Sequence, residues 1–173
     1  MPKIIENLEN RLLAETEKQI REIGYSTMTV RSVAQACGVG VGTVYNYFSS
    51  KDDLLATYVL QDWNRHVEII QAVSIHSDLP LPVVRCIHEQ LTQFALRHRN
   101  LFEDKAAMAS FAVSFLRYHS IMRNQLALPL RKFCSRDFTA DFIAEALLTW
   151  TMDKKPLDEI YGMIEKLFDA PQP

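Results

Sequence analysis

Side chains able to make specific hydrogen bonds gather in one short stretch, Thr43, Tyr45, Asn46 and Tyr47, with Arg31 before them and Lys51 just after. None of them falls in a catalytic or metal-ligating pattern. An amide, hydroxyls and a guanidinium are instead the groups that read base edges in the major groove of DNA, and the Tyr45 hydroxyl and the Lys51 ammonium suit phosphate oxygens. From Gly24 to Lys51 the chain has no Asp or Glu, although it carries 21 acidic residues among 173. So long a gap leaves a surface that tolerates a polyanion, with Arg31 and Lys51 as its positive charges.

To present these groups the chain needs a helix, a turn and a second helix. Thr29 has the right side chain to cap the first, whose inward positions are Val30, Val33 and Ala34. Cys37-Gly38-Val39-Gly40 breaks that period with two glycines, the composition expected where a helix stops and another starts at a steep angle. The second helix begins near Val41. Val44 and Phe48 supply its docking side, and the opposite face stays free. Ser49 or Ser50 can cap the next helix, whose exposed amides also suit an anion.

These residues resemble the TetR family of bacterial transcriptional regulators. The likeness rests on Gly24 ending the first helix, the Thr29-Val30 pair, Ala34, Gly38 and Val39 through the turn, Tyr45, Tyr47 and Phe48, and Lys51 followed by Leu54-Leu55; it covers roughly residues 8 to 55. Beyond that only the helical layout is similar. By position, the resemblance implies Arg31 and the face of Val41, Gly42, Thr43 and Asn46 against the bases, and Tyr45, Tyr47 and Lys51 against phosphates, with Thr29 at the helix start. Where many members carry a polar residue and then Lys, this chain has Gly40 and Val41. Thymine methyl contacts at Val41 and Thr43, with Arg31 on guanine, should therefore carry a larger share of recognition.

Periodicity supplies the remaining elements. A first helix over residues 3–23 is expected to bury Ile5, Leu8, Leu12, Thr16, Ile20 and Ile23 and to stop at Gly24. A long fourth helix runs from Lys51 through Leu54, Leu55, Tyr58, Trp63, Val67 and Ile70 towards Ile75, so that its tilt would move the recognition helix. His76 to Pro82 reads as a linker. A helix over 82–99 follows, with Val83, Val84, Ile87, Leu91, Phe94 and Ala95 inward, then a break at 100–105 and a longer helix over 106–134 that Pro129 should kink or divide. Two amphipathic helices close the chain, over 137–152 and 156–168.

The fold class is therefore all-α, about nine helices, with a three-helix DNA-binding domain at 1–50 and a helical effector-binding and dimerisation domain at 51–173. Trp63, Phe94, Met108, Phe111, Phe115, Tyr118, His119 and Met122 could be plain core, since aromatic and Met stripes usually are. The resemblance points instead to a small apolar or aromatic effector among them. On the last two helices, Phe138, Phe142, Ala146 and Trp150, and Ile160, Tyr161, Ile164 and Phe168, show more apolar surface than one small domain needs. The resemblance places a homodimer interface there, and a helix-turn-helix gains useful affinity from two half-sites of a palindromic operator in double-stranded DNA.

Enzyme chemistry finds little support. His66, His76, His88, His98 and His119 show no metal-binding spacing, so no metal or cofactor is expected, and the Gly-Val-Gly-Val-Gly run lacks the Lys-Ser/Thr ending of a phosphate loop. Cys37, Cys86 and Cys134 are odd in number and widely spaced, which fits reduced thiols in a cytoplasm. A redox role for Cys37 would need an exposed, activated thiolate. No apolar run reaches about 18 residues, so no membrane span is expected, and no signal peptide is read at the N-terminus. With a net charge of -2, DNA binding must rest on a local patch. The reading is a ligand-responsive, dimeric DNA-binding repressor. Its alternatives are a helical small-molecule-binding or scaffolding protein without specific DNA binding, and a regulator without a small effector.

Overall fold

The computed structural model describes residues 7–168, and of 111–117 the backbone alone. Among the described residues the chain is helical throughout: α1 Leu8–Thr27, α2 Val30–Ala36, α3 Val41–Tyr45, α4 Lys51–Ile75, α5 Pro80–Arg97, α6 Arg99–Phe102, α7 Lys105–Leu130, α8 Asp137–Met152 and α9 Leu157–Ile164, with 3-10 turns at Arg131–Phe133 and Glu165–Leu167. These helices form two compact units. The first gathers the chain up to Asp62 with His98–Ala112; the second holds Trp63–Arg97 and the chain from Val113 onward. The chain passes between them within α4, between α5 and α6, and within α7.

In the first unit, Leu8, Leu12 and Ile20 of α1 meet Val30, Val33 and Ala34 of α2 and Val44 and Phe48 beyond, all buried. Leu101 of α6 and Ala107 of α7 close the same core from far along the sequence. The regular part of α1 breaks at Gly24, as expected, although helical turns continue to Thr27. Gly24 sits at φ 77, ψ 165, and the chain resumes a helical turn that returns Tyr25 and Met28 to the core, the Met28 N–H donating to the Gly24 carbonyl at 3.2 Å. The same break leaves Ile23, expected inside, 47% exposed, because Tyr25 takes the last inward place. The expected helix start at residue 3 and the inward place of Ile5 lie outside the described residues.

Asp62 and His98 stand at the two places where this unit gives up and regains the chain. Both are buried, and the His98 Nε2 lies 2.8 Å from Asp62 Oδ2, with the Tyr58 ring edge-on to the imidazole at 5.2 Å. A carboxylate this deep needs hydrogen-bonding partners, and His98 supplies one.

The second unit packs α5 along α8, with α9 against both. Its fully buried side chains include Trp63, Ile70, Ile87, Leu91, Phe94, Leu126, Leu130 and Ile143. The Trp63 indole N–H donates to Gln125 Oε1 at 2.8 Å, and His66 Nδ1 and Gln90 Oε1 lie 2.7 Å apart. Lys132 Nζ donates to the Ser74 and Ser77 carbonyls, closing the C-terminus of α4 where a cation also complements the helix dipole.

Several expected boundaries move for local reasons. Helix α5 starts at Pro80, inside the expected linker, because a proline in the first turn loses no helical hydrogen bond. The expected break at 100–105 overlaps the short α6, whose N-cap is His98, where the His–Asp pair holds the chain. Pro129 stands one residue before the end of α7 at Leu130, so the helix expected over 106–134 stops short. The proline lies in the last turn, where Ser74 Oγ donates to its carbonyl at 3.1 Å, and the chain then tightens into the 3-10 turn.

Replacing Asp62 with Ala should cost about 3 kcal/mol, because it breaks a buried pair by removing one partner. Urea unfolding should show the midpoint falling with little change in slope; a loss within measurement error would show that the pair contributes nothing.

Candidate nucleic-acid interface

The helix-turn-helix is held by backbone and capping bonds. The Ser32 N–H donates to Thr29 Oγ1 at 3.0 Å and the Thr29 N–H donates to Ser32 Oγ at 3.1 Å, a reciprocal cap on α2. At its other end Gly38 adopts φ 69, which lets the Val39 N–H reach back to the Ala34 carbonyl at 3.0 Å. Arg11 on α1 donates from Nη2 to the Cys37 carbonyl at 2.9 Å, tying the turn down. Helix α3 then starts at Gly40 without a side-chain cap, as its sequence implies.

Val44 and Phe48 are buried, so α3 is docked on one side and open on the other. The open side carries Gly42, Asn46, Tyr45 at 52% exposure and Tyr47 at 44%; Val41 and Thr43 are half-buried, and Thr29 and Arg31 at the start of α2 are exposed. Eight of the nine sequence-derived residues are thus exposed or half-buried on or beside α2 and α3 of the first unit. Their polar tips can donate and accept along a groove, and their methyl groups can meet thymine.

Lys51 stands apart. Its Nζ donates to the Tyr25 carbonyl at 2.5 Å and lies 3.9 Å over the Tyr25 ring, and burial pulls its pKa below the usual lysine range. The ammonium is engaged with α1 rather than turned to solvent. Ser50 caps α4, its Oγ accepting from the Asp53 N–H at 3.0 Å, and Asp53 Oδ2 accepts from the Ser49 N–H at 2.7 Å just ahead of the helix.

Beside it, Asp52 joins three helices. Its Oδ1 accepts from the Tyr25 hydroxyl at 2.6 Å and its Oδ2 from Ser110 Oγ of α7 at 2.5 Å. Burial, then the hydrogen bond to Asp52, pushes the Tyr25 phenol above its ordinary value. The sequence carried no sign of these contacts, nor of Arg11 on the turn, because each joins residues at least 26 positions apart.

The residues expected around an effector divide. Trp63 and Phe94 are packed on all sides at 1% exposure, Met108 belongs to the first unit, and the side chains of Phe111 and Phe115 lie outside the described residues. Tyr118, His119 and Met122 are half-buried in the second unit, with His119 Nε2 at 3.3 Å from Glu145 Oε1. On α8, Phe138, Phe142 and Trp150 are exposed at 76, 53 and 47%, while Ala146 is half-buried. Leu147 and Leu148 on the same helix are buried within the unit. On α9, Ile160 and Ile164 are buried within the chain, Tyr161 and Phe168 are half-buried, and Met163 is the outward apolar residue at 81%. Docking against α5 and α8 claims the stripe that the sequence assigned to a partner.

Among the described residues no group of His, Cys, Asp or Glu could hold a metal ion, and no helix is long and apolar enough to cross a membrane.

A capped short helix, a glycine turn and a second helix with a free polar face define a helix-turn-helix DNA-binding class. Residues 12–58 match the family model for bacterial regulatory proteins of the tetR family. Curated relatives include the transcriptional regulator HbdR of Aromatoleum, 35% identical over 54 residues, and UidR of Escherichia coli, 27% identical over 90 residues. The matches cover 31 and 50% of this chain, and the chain spans only 24 and 46% of those relatives. Among solved structures, a TetR-family regulator from Pectobacterium atrosepticum aligns over 99% of this chain and 100% of its own with a TM-score of 0.67 at 19% identity. FadR from Thermus thermophilus, a TetR-family repressor solved with lauroyl-CoA, aligns over 95 and 98% with a TM-score of 0.63 at 19% identity. Residues 12–58 are thus similar to the DNA-binding segment of the tetR family of bacterial regulators, and the chain as a whole has the all-helical fold of the solved structures it aligns with.

Thr29→Ala should cost about 1 kcal/mol through loss of the cap, read as a lower melting temperature, and Thr29→Ser should retain most of it. Burial raises the Cys37 and Cys86 thiols above their ordinary value, so both stay protonated to higher pH and alkylate slowly. Mass spectrometry of the native protein treated with iodoacetamide should find half-buried Cys134 modified first; rapid labelling of Cys37 would restore its redox reading.

Proposed function

We propose that this protein is a homodimeric DNA-binding transcriptional repressor that binds a palindromic operator and releases it when a small effector binds, and that it acts in the cytoplasm as a binding protein rather than an enzyme. In this reading residues 1–50 are the DNA-binding domain and 51–173 the effector-binding and dimerisation domain. The observation that carries it is the open face of α2 and α3, which combines exposed Arg31, Tyr45, Asn46 and Tyr47 with the absence of acidic residues from Gly24 to Lys51. Arg31 and Asn46 are the base readers, Val41, Gly42 and Thr43 meet the groove floor, and Thr29, Tyr45 and Tyr47 contact the backbone. Lys51 contributes by holding Tyr25 or, once released, by meeting phosphate.

A second copy is the partner assigned to α8. Phe138, Phe142 and Trp150 with Met163 leave four large apolar side chains in solvent, and a twofold pairing would cover them while setting two recognition helices for successive turns of DNA. The effector reading draws on the family and on the half-buried Tyr118, His119 and Met122; FadR, a structural neighbour, was solved with an acyl-coenzyme A. An effector must bind better to a conformer with misplaced recognition helices, and by linkage it then weakens DNA binding by the same factor. Regulation without a small effector is the second reading. It is favoured by Trp63 and Phe94, expected to line a cavity, which are packed on all sides.

Selection from random duplexes should enrich a palindrome, with affinity falling steeply as salt rises. Tyr45→Ala should weaken all sites alike, whereas Arg31→Ala should cost about 1–3 kcal/mol and relax preference at one base pair of each half-site. Phe142→Glu should give a monomer by light scattering and much weaker operator binding. Equal, weak binding to every duplex would sink the regulator reading, and a dimer unaffected by Phe142→Glu would move the interface elsewhere.

A further inference from the structure

Helix α7 carries an arginine whose donors are poorly used. Arg123 has five N–H donors to place, yet Nη1 lies 4.0 Å from Glu145 Oε2, Nη2 donates to Asn124 Oδ1 only at 3.4 Å, and buried Nε has no hydrogen-bond partner among the described atoms. Glu145 on α8 is not free to serve it better. Its Oε1 is held by His119 Nε2 at 3.3 Å and by Thr149 Oγ1 at 3.0 Å, which leaves only Oε2 turned towards the guanidinium. An orphaned N–H on a charged group is costly, and structures seldom keep one without reason.

We infer that Arg123, assisted by His119, is the receptor for a carboxylate on a small apolar molecule, so that the effector is an organic acid. The inference rests on the effector reading above and gives it a chemical class. The Nε and Nη2 edge of a guanidinium matches the two oxygens of one carboxylate side-on, a fit that an ammonium cannot reproduce. Arg123 keeps 37% of its side chain exposed, so the edge can turn outward to meet a ligand. Half-buried Tyr118 and Met122 on the same helix segment offer an apolar body its contact surface. Glu145 is the internal competitor: it holds the site while no acid is present and sets a threshold that an external carboxylate must exceed. His119, one turn before Arg123, can turn its Nε2–H from Glu145 to the incoming oxygen.

The test is calorimetric titration of the purified full chain with octanoate and octanol, and with benzoate and benzyl alcohol, alongside variants checked by circular dichroism. In at least one pair the acid should bind about tenfold or more tightly than its alcohol, and Arg123→Gln and Arg123→Lys should both lose about tenfold in affinity for it. Glu145→Gln removes the competing charge and should tighten acid binding several-fold, which keeps the inference exposed should the Arg123 variants fail to fold. Acid and alcohol binding alike, or an Arg123 or Glu145 variant that leaves acid affinity unchanged, would overturn the carboxylate receptor while leaving an effector site in place. Silence from all four molecules would overturn both.

Discussion

Tyr25 is the fastening on which the reading face depends. The Gly24 break turns it inward, its hydroxyl donates to Asp52 at the start of α4, and its carbonyl and ring hold Lys51. Asp52 in turn accepts from Ser110 on α7. One aromatic side chain thereby sets where α1 ends, where α4 begins and how the first turns of α7 lie against them. Short helices such as α2 and α3 have little stability of their own, so their orientation is inherited from these longer neighbours.

The same fastening changes the electrostatics of the face. Lys51 is engaged with Tyr25 within the unit, so the exposed face relies on Arg31 and on neutral donors and acceptors. An interface with few charges makes fewer phosphate contacts per subunit, so the proposed pairing of two subunits on one duplex would matter correspondingly more. The apolar side chains left in solvent on α8 are consistent with that need, and they lie away from the side of α8 that packs on α5.

Helix α9 shows why an apolar stripe alone does not identify its partner. Ile160 and Ile164 form a convincing stripe, and within one chain they are claimed by α5 and α8, leaving Met163 outward. Trp63 and Phe94 teach the same lesson: an aromatic residue at helical spacing is equally suited to a core or a cavity wall, and here both are core. Periodicity says that a face is buried, never against what.

Much of the protein was legible without coordinates. The helices followed from three- and four-residue spacing, their limits from Thr29, Gly38, Asp137 and Pro156, and the exposed reading face from the docking pair Val44 and Phe48, because these depend on residues within a turn or two of one another. The turn of chain beyond Gly24, the capture of Lys51 and Asp52, the buried Asp62–His98 pair and the orphaned Arg123 were decided by tertiary structure alone. Each depends on groups brought together from distant parts of the chain or on how closely neighbouring helices pack, and a hydrogen bond extends only about 3 Å, so local spacing carries no record of it.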